Sequence, residues 1–295
     1  MMKRFFFFTI LVFSCMCICA AFDFPCDVQE PRIFFGQKVF KNRSGFDGAF
    51  ENGITFGNVN IVKASDAGEK ILAIEKSNGV RSFPCALGNA IILLHENGFQ
   101  TVYGNLASVQ VFETKTSFLK DDTLGQTAMN AAQHSKPLIF KVIDVNAKSK
   151  NFVNPILLLP EIADTKKCEI KTVFLQSADG KIFPLTARSS IPRGSYTLFI
   201  ECFDLISNSP NRLVPFEINA NLNGTNVSNI TLQTLYTQNG TMYVQEKFSL
   251  AKMYQKANAY YLCDVELSYG SAQLILHVRD YSKNSTEARF ELSVW

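Results

Sequence analysis

Histidine, tryptophan and charge are all scarce in this chain. It has 3 histidines, 1 tryptophan and 19% charged residues in 295 positions, where an average globular chain has about 25% charged residues. Few histidines leave little material for imidazole metal sites or general bases. The 29 Lys+Arg against 26 Asp+Glu give a net charge of only +3. With no basic stripe, nucleic acid is excluded as an expected partner. Glycine and proline counts of 16 and 10 exclude collagen-like and low-complexity classes. No P-loop or G-x-S-x-G motif occurs. After the first twenty-one residues there is no C-x-x-C pair and no run apolar enough for a transmembrane helix.

What is present begins at the N-terminus. Met1-Met2-Lys3-Arg4 is a short positive start, Phe5 to Phe13 is apolar apart from Thr9, and small residues lead to Cys19-Ala20-Ala21. This is the pattern of a secretory signal peptide, with cleavage expected after Ala21. Losing Lys3 and Arg4 lowers the formal side-chain charge from +3 to +1. The mature protein is therefore expected in the periplasm or cell envelope. Lipidation at Cys15, Cys17 or Cys19 is the alternative, but none follows a Leu-small-small run. Five cysteines remain (Cys26, Cys85, Cys168, Cys202 and Cys263), and an odd number allows two intramolecular disulfides at most. They read mainly as small buried residues, with one or two bridges as the other possibility. Six Asn-x-Ser/Thr sites, at Asn42, Asn223, Asn226, Asn229, Asn239 and Asn284, would matter only in a eukaryotic secretory route.

Helical periodicity is rare, and the pattern predicts an all-β protein. Strand-like runs are Ile71 to Ile74, Ala90 to Leu94, Gln100 to Tyr103, Leu138 to Val142, Thr197 to Ile200 and Leu274 to Val278. Turn chemistry separates them at Asn78-Gly79, Asn97-Gly98, Asp179-Gly180, Asn223-Gly224 and Asn239-Gly240. Short helices are expected at Asp122 to Ala132 and at Ser249 to Ala257, the second capped by Ser249. Asn154 to Pro160 reads as an extended apolar connector, followed by polar Asp164 to Lys167. This gives three expected segments: a signal peptide at 1–21, a first domain at 22–162 and a β-sandwich at 165–295.

The most informative segment is Gly88-Asn89-Ala90-Ile91-Ile92-Leu93-Leu94-His95-Glu96-Asn97-Gly98-Phe99-Gln100-Thr101-Val102-Tyr103-Gly104-Asn105-Leu106. Val62 to Gly68, Phe50 to Phe56 and Pro137 to Val142 accompany it in order. Together these resemble the lysostaphin/LytM-type zinc metallopeptidase domain, over roughly Pro31 to Pro160. The resemblance implies a two-sheet fold of the duplicated hybrid motif kind. It also implies five zinc-binding or water-activating positions, which here hold Glu51, Thr55, Asn105, Pro137 and Ile139. A catalytic zinc takes about three protein ligands and an open position for water, and only Glu51 is a good ligand among the five. The zinc is therefore expected to be lost, no catalytic residue is assigned, and no cofactor is expected. Of the three histidines, His95 reads as a turn or surface residue and His277 as a strand residue. His134, three residues before Pro137, is the one that a register slip would bring near the former site. Cys85 with His95 is a conceivable pair that no signature supports.

The C-terminal region resembles the Ig-like β-sandwich that follows such domains in some Bacteroidetes- and spirochaete-type envelope proteins. The residues carrying this are Arg193 to Asp204 and Leu274 to Ser285. Asp204 and Asp280 each follow an apolar strand; they read as turn caps, since calcium takes 6–8 oxygens. The resemblance implies an exported, non-catalytic LytM-like pseudopeptidase that binds peptidoglycan or regulates a cell-wall hydrolase. A divergent zinc endopeptidase using Glu51 and His134, and a structural adhesion module, are the alternatives.

Overall fold

The computed structural model describes residues 21–27, 31–33, 35–38, 50–57, 59–75, 86–129, 134, 136–147, 151–206, 212–245 and 248–295. The expected signal peptide up to Ala20, Asn42, Asn78-Gly79 and Cys85 lie outside these residues.

The described chain is all-β. Its first part holds β1 (Pro31–Ile33), β2 (Ile54–Phe56), β3 (Ile61–Lys63), β4 (Gly68–Ile74), β5 (Asn89–Leu94), β6 (Phe99–Leu106), β7 (Ser117–Phe118), β8 (Thr123–Gln126), β9 (Leu138–Asp144) and β10 (Asn151–Val153). The second part holds β11 (Glu169–Ser177), β12 (Ile182–Pro184), β13 (Arg188–Ile191), β14 (Gly194–Phe203), β15 (Glu217–Leu222), β16 (Thr225–Thr231), β17 (Thr234–Gln238) and β18 (Thr241–Gln245). It continues with β19 (Phe248–Ser249), the one-turn helix α1 (Leu250–Met253), β20 (Tyr260–Leu267), β21 (Gly270–Arg279) and β22 (Ser285–Val294).

An eleven-stranded sheet runs in the order β19-β18-β17-β10-β9-β6-β5-β4-β7, with β2 and β1 attached beside β9. Strands β17 to β19 come from the second part and join the first through Asn151↔Tyr236 and Val153↔Thr234. The backbone hydrogen bonds of the two parts therefore form one ladder across the expected boundary. The other sheets are the pair β3-β8 and, in the second part, β12-β11-β14-β20 and β13-β22-β21-β15-β16. The last two bury Val173, Leu175, Leu198 and Ile200 together with Ile218, Leu274, Leu276 and Leu292. Alternation along β21, buried at Ala272, Leu274, Leu276 and Val278, is the period of two that a half-buried strand requires.

The six predicted strand runs all fall within strands. Asn223 and Gly224 have φ of 51° and 81°, and Asn239 and Gly240 have 50° and 75°. Both central residues at positive φ make the tight turns that join β15 to β16 and β17 to β18. Two expectations need correction. Asp122 to Ala132 does not begin a helix: Thr123–Gln126 is a strand paired with Ile61–Lys63, so cross-strand hydrogen bonding overrides local propensity. The Asn154–Pro160 connector is not extended throughout. Asn154 Oδ1 accepts from Ile156 N, and Pro155–Leu157 forms a 3-10 turn, since proline at the first helical position gives up no needed donor. The Ser249 cap is present, accepting from Lys252 N at 3.1 Å, but the helix stops at Met253.

Candidate functional site

Strands β2, β9 and β6 lie side by side and bring the resemblance positions together. Thr55 is the register partner of Ile139, and Ile139 is in turn opposite Gly104. Residues directly opposite in a sheet share a face, so Thr55 and Ile139 are neighbours, with Lys141 next along β9. Asn105 follows Gly104 and donates from Nδ2 to the Pro137 carbonyl at 2.8 Å. Its φ of 63° is a left-handed conformation that asparagine tolerates better than most residues. Leu138, Phe140 and Val142 face the core with no exposure.

Glu51 reaches the same place from the turn before β2. Gly53 permits this: a Cβ there would stand 2.4 Å from the Phe140 carbonyl oxygen. Glu51 Oε1 lies 3.3 Å from Lys141 Nζ, with the two side chains 13% and 16% exposed. Glu51 Oε1 has no hydrogen-bond partner, and Lys141 donates to Asn52 Oδ1. Thr55 is buried, and its hydroxyl has no hydrogen-bond partner. Sequence reasoning passed over Lys141, although its alternation with Ile139 on β9 was readable.

His134 is exposed. His277 is a strand residue, as expected, its Nδ1 3.3 Å from Glu287 Oε2. His95 is the turn residue expected, its carbonyl accepting from Gly98 N at 3.0 Å, but it is not on the surface, for it is 3% exposed. Its Nδ1 lies 2.7 Å from the Ala67 carbonyl and its Nε2 2.7 Å from Thr101 Oγ1. Thr101 Oγ1 is 3.2 Å from Tyr103 Oη, which accepts from Ser65 N at 2.9 Å. Burial holds the His95 pKa below its ordinary value, against the opposing pull of the Ala67 carbonyl and Asp66. A carbonyl only accepts, so the neutral ring carries its proton on Nδ1. Nε2 then faces the Thr101 hydroxyl, whose oxygen lies 3.2 Å from Tyr103 Oη. These contacts tie the β5–β6 hairpin to the Ser65–Ala67 turn. A cleft of about 420 Å³ lies beside His95 and Phe118, at the opposite end of the hairpin from Asn105.

One group of carboxylates among the described residues comes close enough to share a cation. Single oxygens of Asp164, Asp204 and Asp280 all lie within 4.8 Å of one another. Asp204 and Asp280 are 2% and 1% exposed. Asp280 caps the following turn, accepting from Asn284 N and Nδ2 at 2.8 Å each. Asp204 Oδ1 accepts from Cys168 Sγ at 3.8 Å. Burial, then the Asp280 and Asp164 charges, push the Asp204 carboxyl up to about 7. At one oxygen each, these three carboxylates supply half or less of the 6–8 oxygens of a calcium site. Cys168, Cys202 and Cys263 are free thiols. Burial pushes Cys263 up to about 11 and raises Cys168 and Cys202 as well, so none of these three is a thiolate nucleophile at neutral pH.

A protein-family model that names no function matches residues 167–295. The chain is 36% identical over 93 residues to an uncharacterized protein of Treponema pallidum (strain Nichols). That match covers 29% of this chain and 59% of the relative, so the chain spans less than two thirds of the relative's length. Among solved structures, the NMR solution structure of lysostaphin aligns with 85% of this chain and 91% of its own, at a TM-score of 0.32 and 15% identity. Among the described residues, no helix is long and apolar enough to cross a membrane.

Proposed function

We propose that the protein is an exported, non-catalytic LytM-like pseudopeptidase that binds peptidoglycan peptides or regulates a cell-wall hydrolase. On this reading residues 22–162 are the LytM-like domain and 165–295 an Ig-like sandwich, in the periplasm or cell envelope. The observation that carries it is the Glu51–Lys141 ion pair at the former metal position. The donor set does not fit zinc. Pro137 and Ile139 have no donor atom, Thr55 is a weak ligand, and Asn105 spends its amide on the Pro137 carbonyl. An ammonium already faces the one good ligand. A zinc ion there would have to displace Lys141 and would gain a single carboxylate.

What remains useful is a row of strands ending in polar groups, which suits binding of an extended peptide. The experiment uses mature protein and purified sacculi. Cosedimentation without release of soluble muropeptides, and no stoichiometric zinc by elemental analysis, are expected. About one tightly held zinc per chain, as a catalytic site requires, or muropeptide release, would overturn the non-catalytic reading. Asn105→Gly is the matching variant. It removes the amide and keeps the left-handed backbone, whereas a bulky aromatic at φ 63° would disturb the fold. Binding that falls in this variant supports the strand-end site, and unchanged binding moves the interaction elsewhere.

A further inference from the structure

A second cavity lies away from the former metal positions, where the segment before β2 meets β14 and the chain entering β20. Its volume is about 240 Å³, roughly eight water molecules at about 30 Å³ each. That is just below the range of whole-ligand pockets, so it suits a short ligand or the end of a longer one. Lys38, Arg212 and Lys256 line it, with Glu201 as the one acidic residue. Among the described residues, none of these three cations has a carboxylate partner. Two of them rest on aromatic rings. The Arg212 guanidinium carbon is 4.4 Å from the centre of the Phe203 ring, and Lys256 Nζ is 5.1 Å from that of Phe199.

Ring faces hold such cations in place without neutralising them, so their hydrogen-bonding protons stay available. A guanidinium fixed in this way matches a carboxylate through two parallel hydrogen bonds. Asn258 also lines the cavity, and its amide carries both a donor and an acceptor, the complement of a peptide group. Leu213, Val214 and Ala257 supply the apolar part of the wall. Loose inorganic anions would use the charges and leave this apolar wall and the amide idle.

We propose that this cavity binds the carboxylate end of a short peptide, with Arg212 and Lys256 as the anion-holding groups. The site is separate from the Glu51–Lys141 face, so it stands or falls independently of the function proposed above.

The test is calorimetric titration of the full mature chain with acetyl-Ala-Ala bearing a free C-terminal carboxylate. Acetyl-Ala-Ala-amide and inorganic phosphate are the controls. The free acid is expected to bind and the amide to bind at least about tenfold more weakly, the scale of one lost charge-assisted hydrogen bond. Arg212→Gln should weaken the free acid by about tenfold or more, and Lys256→Gln should weaken it independently. Arg212 is exposed and Lys256 half-buried, so both variants should melt like the parent, and the melting temperature checks this. No heat with millimolar free acid overturns the proposal, as does equal binding of the amide. Equal binding of phosphate reduces the cavity to a general anion site and overturns the peptide assignment. Unchanged affinity in both variants overturns the location.

Discussion

The two halves of the molecule treat buried carboxylates in opposite ways. In the first half, Glu51 is mostly buried and faces an ammonium, Lys141, at 3.3 Å. In the second half, Asp204 and Asp280 are more deeply buried and face each other and Asp164. Neither has an ion-pair partner among the described residues. The first arrangement sets charge against charge. The second leaves one carboxyl to hold its proton or accept repulsion. A sheet face where metal ligands are expected has thus been closed electrostatically, while a turn region keeps an unresolved charge.

The largest effect should come from opening the closed side. Lys141→Met removes the ammonium and leaves Glu51 without a counter-charge. Removing one partner of a fully buried pair costs about 3–5 kcal/mol. With side chains 13% and 16% exposed, a loss of about 2–3 kcal/mol is expected here. Denaturant unfolding at pH 7 measures it. Adding Glu51→Gln to Lys141→Met should recover most of the loss, because the orphaned charge goes with it. A single variant as stable as the parent would show that the ion pair does not carry the difference between the halves.

The unresolved side predicts a pH dependence of definite sign. The Asp204 carboxyl sits at about 7 in the folded chain, against its ordinary 3.8. The folded state therefore binds more protons than the unfolded state between these values. Stability from this group is full below about pH 3.8 and is lost as pH rises through about 7. Asp204→Asn keeps an oxygen for the Cys168 thiol and removes the titration. Relative to the parent, it should be stabilising by about 2–3 kcal/mol at pH 8 and nearly neutral at pH 4. Unfolding curves of both proteins at the two pH values decide it. Parallel profiles would mean that Asp204 is charged at no cost and that the contrast between the halves is only geometric.

Local chemistry was the legible part of the fold. Asn223-Gly224 and Asn239-Gly240 make turns because few other residues take positive φ at both centres, and alternating apolar runs became strands. The Asp122 to Ala132 expectation failed because a strand of four residues, Thr123–Gln126, is decided by its distant partner Ile61–Lys63. At the candidate site, the motif order brought Thr55, Asn105, Pro137 and Ile139 into view, since motif order survives as neighbouring strands. Lys141 occupies none of the five resemblance positions, and only its alternation with Ile139 along β9 points to it. His95 was misread because its partners come from Thr101, two strand positions before Tyr103, and from the Ala67 turn. The period-two spacing of Thr101 and Tyr103 was the available signal. The acidic group and the 240 Å³ cavity join residues more than a hundred positions apart, and no local pattern encodes such meetings.

The smallest expected effect lies back on the closed side, at Thr55. Its Oγ1 is buried with no hydrogen-bond partner, while its backbone is held in β2 opposite Ile139. A buried hydroxyl that makes no bond costs its desolvation and returns nothing. Valine has the same branched shape and replaces the hydroxyl with a methyl beside Ile139. Thr→Val is usually not a neutral exchange, because the threonine hydroxyl normally has a partner. Here the partner is missing, so Thr55→Val should be neutral or stabilise by up to about 1 kcal/mol. The same change at Thr101, whose hydroxyl joins His95 to Tyr103, should be destabilising by about 1–3 kcal/mol. Comparing the two in one denaturant series removes any general effect of the exchange. If Thr55→Val is as damaging as Thr101→Val, the Thr55 hydroxyl has a partner in solution, and the face bearing Glu51 and Lys141 is not electrostatically closed.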